Sequence, residues 1–178
     1  MGTGARISVA THDDRRRLGR AVRPLSELIV VSDSRLGPGD GWDSGPKLFT
    51  LPGFLFVLAF AGDTEVAYPY VLQSFAQIQA YGANARRAND VVTFAKHLAS
   101  SINQMRSQMA KSDSIHDGSE CQVLVAGWSW KELRYRAFTV EYDRNLGSYS
   151  HHSARAAPKL LGGRAASPLF AMVGDPQP

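Results

Sequence analysis

Phe54-Leu55-Phe56-Val57-Leu58-Ala59-Phe60-Ala61-Gly62-Asp63-Thr64 changes character within a few residues. Its first half is an uninterrupted apolar run, the pattern of a strand covered on both faces. Its second half is small and polar, and Asp63 or Thr64 supplies the side-chain oxygen that caps a helix N-terminus. Val71, Leu72, Phe75, Ile78 and Gln79 then continue at helical spacing, with Pro69 in the first turn or at a kink. A buried strand therefore feeds directly into a helix, expected over residues 62–82.

Upstream of this junction, Lys47 to Leu51 reads as a strand that reaches it through the Pro52-Gly53 turn. Leu28-Ile29-Val30-Val31 is a second doubly covered strand, closed by four polar residues, Ser32-Asp33-Ser34-Arg35. Arg6 to Thr11 alternates as a short strand, and residues 15–27 form an arginine-rich hairpin loop. Downstream, Asn89 or Asp90 caps a second helix over 89–111, in which Val91, Phe94, Ala95, Leu98, Ile102, Met105 and Met109 form a core-facing stripe. Strands return at Cys121–Ala126 and Leu133–Tyr142, joined through Trp128 to Glu132. The turn Asp143–Gly147 leads to a third strand, Ser148–Ser153, and Leu169–Val173 is a last one beyond the Gly162-Gly163 break. Strands, two helices, then strands again imply an α+β domain with largely antiparallel pairing.

With 178 residues, the chain fits one domain over 1–178. At 44% hydrophobic and 20% charged it matches neither a disordered nor a membrane-spanning composition. A single cysteine, Cys121, excludes an internal disulfide and a cysteine metal cluster, and it fits a reducing compartment. Residues 1–14 lack the apolar core of a secretory signal, so a cytoplasmic location is expected. Fifteen of the 20 basic residues are arginine, yet the net charge is only +4 and no nucleic-acid motif accompanies them; nucleic acid and membrane are not expected partners.

Polar residues at the end of a buried strand need partners. Asp33 and Arg35 alternate on one side, and Lys47 opens a neighbouring strand. A carboxylate beside a buried lysine either forms an ordinary ion pair or places an ammonium where it lowers the pKa of a nearby nucleophile. Other clusters point elsewhere. His151 and His152 are adjacent, so a strand sends them to opposite faces and they cannot share a metal. Gly37 to Gly41 precedes no helix and lacks a phosphate-binding lysine. Cys121 reads as a small buried hydrophobe. Neither a metal site nor a cofactor is expected.

The order of Val30-Val31-Ser32-Asp33-Ser34-Arg35, Pro46-Lys47-Leu48-Phe49 and Leu58-Ala59-Phe60-Ala61-Gly62-Asp63-Thr64 resembles the proteasome β-subunit and its bacterial relatives. Val123–Gly127, Phe138–Asp143 and Phe170–Gly174 extend the likeness in the same order over roughly residues 5 to 175. The resemblance implies an N-terminal-nucleophile (Ntn) hydrolase fold, an αββα sandwich of two antiparallel sheets between helix layers. It implies that a threonine freed at the N-terminus attacks an amide carbonyl, with its own α-amino group as general base. Thr3, exposed by loss of Met1 and Gly2, would be that residue. Asp33 and Lys47 would activate its hydroxyl, the Gly62 N–H would stabilise the oxyanion, and Arg35 would support the ion pair. The family continues with further helices where this chain reaches Pro178, so the second helix layer is expected to be reduced and one sheet face to need a partner. The implied partners are copies of the chain in a ring or dimer, a second chain or an ATPase, and a peptide or small amide substrate. Two readings follow: an amide-bond hydrolase, or an inactive Ntn-fold scaffold.

Overall fold

The computed structural model describes residues 8–14, 25–32, 45–51, 55–80, 90–111, 120–156 and 169–170. In chain order the elements are β1 (Ser8–Asp14), β2 (Leu25–Val31), β3 (Leu48–Thr50), β4 (Phe56–Gly62), α1 (Thr64–Ala80), α2 (Val91–Lys111), β5 (Cys121–Ser129), β6 (Arg134–Asp143), β7 (Ser148–Ser153), β8 (Arg155–Ala156) and β9 (Leu169–Phe170). A five-stranded sheet runs β3-β4-β5-β6-β7, with β1-β2 and β8-β9 as separate two-stranded pairs. Every pair among the described residues is antiparallel. Strand β5 lies beside β4 although both helices intervene in sequence, so the helix pair is one long connection between neighbouring strands.

Side-chain size sorts the two faces of the sheet. Phe56, Leu58 and Phe60 of β4, Val123 and Val125 of β5, and Phe138 and Val140 of β6 pack with Val66, Tyr70 and Val71 of α1 and Val91, Phe94, Leu98 and Ile102 of α2. The opposite face is lined by Ala59, Ala61, Leu124, Ala126 and Ala137, against which Leu28 and Val30 of β2 rest. Large residues fill the gap to the helices, and small ones let the β1–β2 hairpin approach closely. Helices, central sheet and hairpin are thus stacked in that order. The described residues contain two helices, and both contribute to the same core. On the outward side of β2, Ile29 is 48% and Val31 56% exposed.

Local chemistry fixes each helix start. Asp63 accepts the Glu65 N–H at 2.9 Å through Oδ1, and its carbonyl receives the Ala67 N–H. Pro69 lies inside α1, where the helix continues through it. Asp90 caps α2 by accepting the Val92 N–H at 3.0 Å. Its other oxygen accepts the Ser129 hydroxyl at 2.8 Å and the Lys131 N–H at 3.2 Å, which ties α2 to the β5–β6 turn.

Candidate functional site

The end of β4 and the approach to β3 meet at one edge of the central sheet. The Phe60 N–H donates to the Lys47 carbonyl at 3.2 Å, extending the β3–β4 ladder one step beyond Leu48↔Ala59. Lys47 thus stands directly before β3, opposite Phe60. The Lys47 residue is only 6% exposed. The Tyr68 hydroxyl of α1 donates to the Pro46 carbonyl at 2.9 Å, and its ring stands edge-on to Phe60 and Phe49. Helix α1 therefore holds in place the segment that delivers Lys47.

Gly62 closes β4 at the same edge. Its φ of +98° is a backbone conformation that side chains disfavour, and a Cβ there would sit 2.6 Å from the Glu120 carbonyl oxygen. The next amide, Asp63 N–H, is already bonded to that carbonyl at 3.1 Å. An acceptor arriving at this turn would therefore look to Gly62 rather than Asp63. The sheet edge thus carries a buried lysine, a glycine where the backbone turns, and the first turn of α1.

Beneath the turn lies a buried polar group. Gly62 pairs with Cys121, whose N–H donates to the Tyr149 hydroxyl at 3.2 Å. Burial pushes the Cys121 thiol up to about 12, the Tyr149 hydrogen bond pulling the other way. Burial likewise raises Tyr70 to about 12, and it raises Tyr149 further, each helped by the neighbouring Cys121. The Tyr70 hydroxyl is buried without a well-formed hydrogen bond among the described residues, and the nearby Arg106 guanidinium opposes the rise. These groups are neutral near pH 7, so the thiol under the turn is a packed structural group and not an activated nucleophile.

Of the residues singled out from the sequence, the structure brings Lys47 and Gly62 to this edge. Thr3, Asp33 and Arg35 lie outside the described residues, as do residues 15–24 of the expected arginine-rich loop 15–27, whose last three residues belong instead to strand β2; Ser32 is the last described residue before Asp33. Sequence reasoning missed Tyr68, whose role depends on a contact between segments. It also missed a polar group on the hairpin side of the sheet. There Gln122 Nε2 donates to Glu141 Oε2 at 3.4 Å, His152 Nε2 lies 3.7 Å from Glu141 Oε1, and the same His152 nitrogen is 2.8 Å from Ser150 Oγ. Alternation of Thr139 and Glu141 with Phe138 and Val140 was the available signal. Among the described residues no group of three or more His, Cys, Asp or Glu side chains could hold a metal ion. None of their helices is long and apolar enough to cross a membrane.

No protein-family profile matches the chain, and no curated protein does. A solved structure does resemble it: the helical assembly of the Anbu complex from Pseudomonas aeruginosa, with a TM-score of 0.62 and 17% identity. The match covers 96% of this chain and 61% of that one, so the chain spans less than two thirds of the protein it resembles. At this identity the likeness is one of fold. The resemblance of the ordered sequence pieces to the proteasome β-subunit-like family is therefore corrected: it does not amount to membership. A short piece such as Ala61–Thr64 follows from a strand end and a helix cap that many α+β chains need.

Proposed function

We propose that the chain is an amide-bond hydrolase of the threonine type, built on a proteasome-like αββα arrangement and cutting peptides or small amides through an N-terminal nucleophile. One observation carries the reading: Lys47, buried, and Gly62, at φ +98°, come to the same edge of the sheet where α1 begins. Thr3, freed of Met1 and Gly2, attacks the carbonyl with its Oγ while its α-amino group takes the proton. Lys47, with Asp33 and Arg35, lowers the pKa of that hydroxyl. The Gly62 N–H receives the developing oxyanion, a donor of the kind worth about 3–4 kcal/mol in the transition state. The amine then leaves with the proton, and water hydrolyses the ester on Thr3. The fold likeness to the Anbu complex supports this reading. Labelling by a threonine-directed electrophile tests it: Thr3→Ala should abolish the adduct, and Lys47→Ala should slow its formation by about a hundredfold. Undiminished labelling of Thr3→Ala would remove the nucleophile from the scheme.

A second reading, a non-catalytic scaffold that works by assembly, is favoured by the exposure of Ile29 and Val31. It draws on the Anbu complex as a helical assembly. Self-association is compatible with both readings.

A further inference from the structure

On the hairpin side of the central sheet, one row of positions runs away from the turn at Gly62. Ala61 pairs with Gln122, Gln122 hydrogen-bonds Glu141, and Glu141 pairs with Ser150. His152 reaches in from the neighbouring row, where it pairs with Thr139. The row changes from apolar to polar as it leaves the ground covered by Leu28 and Val30: Ala61 is buried, whereas Gln122, Glu141 and Ser150 are half-buried. The Glu141 side chain keeps 40% of its surface. Asp143, the next carboxylate on that strand face, accepts the Asn145 and Leu146 amides through Oδ1 and belongs to its turn. Glu141 is therefore a partly desolvated carboxylate whose described neighbours are Gln122, Ser150 and a histidine.

We infer that Glu141, framed by Gln122, Ser150 and His152, is a subsite for a cationic group of a peptide: a lysine or arginine side chain, or a free α-amino terminus. The position of the attacked bond is taken from the hydrolase reading above. Glu141 stands two strands from Ala61, about 10 Å away at the usual strand spacing. An extended peptide advances about 3.3–3.6 Å per residue, so the cation sits about three residues from the amide at Gly62. The carboxylate supplies charge, and the Gln122 amide holds it in position. His152 Nε2, 3.7 Å from Glu141 Oε1, borders the position the cation would take.

The test is direct binding of leucine-rich peptide amides, measured calorimetrically at low salt and independent of turnover. One peptide is N-acetylated with lysine three residues from its central amide, one has norleucine there, and one has norleucine there with a free amino terminus. Wild type should bind the lysine peptide about fivefold more tightly than the acetylated norleucine peptide, the gain of a partly exposed ion pair. Glu141→Gln should erase the difference at an unchanged thermal midpoint, and Glu141→Lys should reverse it toward glutamate. If the free amino terminus alone confers the gain, the subsite reads termini; if lysine alone does, it reads side chains. Equal binding of all three peptides, absence of binding, or a lysine preference that survives Glu141→Gln would overturn the inference. Hydrolysis of the same peptides separates the two claims. Cleavage without charge preference removes the subsite and keeps the hydrolase, whereas charge-selective binding without cleavage keeps the subsite and removes the hydrolase.

Discussion

Three protonated side chains, Cys121, Tyr70 and Tyr149, share the space under the Gly62 turn, and each holds its proton more tightly folded than unfolded. The cause is burial, which disfavours the thiolate and the phenolates. Because the folded pKa values are raised, this contribution to stability is complete below the unfolded values and is lost as pH rises. For Cys121 the window opens near the ordinary thiol value of 9.0 and closes near about 12. Chemical denaturation at rising pH should therefore show stability falling steadily above about pH 9. Cys121→Ala should shift the onset upward, towards the ordinary tyrosine range. A flat profile from pH 8 to about 11 would mean that these groups ionise freely in the native state.

At the scale of elements, Asp90 joins pieces that the chain keeps far apart. Its carboxylate is fully buried and accepts the Val92 and Lys131 amides and the Ser129 hydroxyl, so one side chain holds α2 and the β5–β6 turn together. Asp90→Ala removes a cap and leaves donors buried without acceptors, and should cost about 2–4 kcal/mol in denaturant unfolding. A loss below about 0.5 kcal/mol would show that water replaces the carboxylate. The capping role was legible, since Asp90 stands directly before a stripe of residues spaced for a helix. So was the stripe itself: Val91, Phe94, Ala95, Leu98 and Ile102 are all buried. Its partners in β5 and β6 were not legible, because the Ser129 and Lys131 bonds arise only when the strands return. The strand after Cys121 also runs further than its apolar run, to Ser129. Gly127 permits this, since a Cβ there would collide with Phe56 and the Leu55 carbonyl of the neighbouring segment. Side-chain patterning alone registers Gly127 as a break, whereas the close approach of β4 makes it a requirement.

The molecule as a whole joins a large-residue core under the helices to an alanine-lined face under the hairpin, and leaves Ile29 and Val31 of β2 facing outward. Paired apolar exposure on a strand is the kind of surface that association covers. Sedimentation should show a concentration-dependent oligomer, and Ile29→Glu with Val31→Glu should shift it to monomer with little change in folding. A wild-type monomer at all concentrations would contradict self-assembly. The site is divided in its legibility for a physical reason. Lys47 and Gly62 declare themselves through burial and backbone geometry, which strand and cap patterns foreshadow. In the proposed hydrolase the nucleophile depends on a cleavage event, which side-chain periodicity does not record. In the proposed hydrolase Thr3 becomes a reactive N-terminus that acts with Lys47 and Gly62. Intact and peptide mass spectrometry after treatment with a threonine-directed electrophile is the sharpest test: loss of Met1 and Gly2 with one adduct on Thr3 is expected, and Met1 retained on every molecule with no adduct would contradict the assignment.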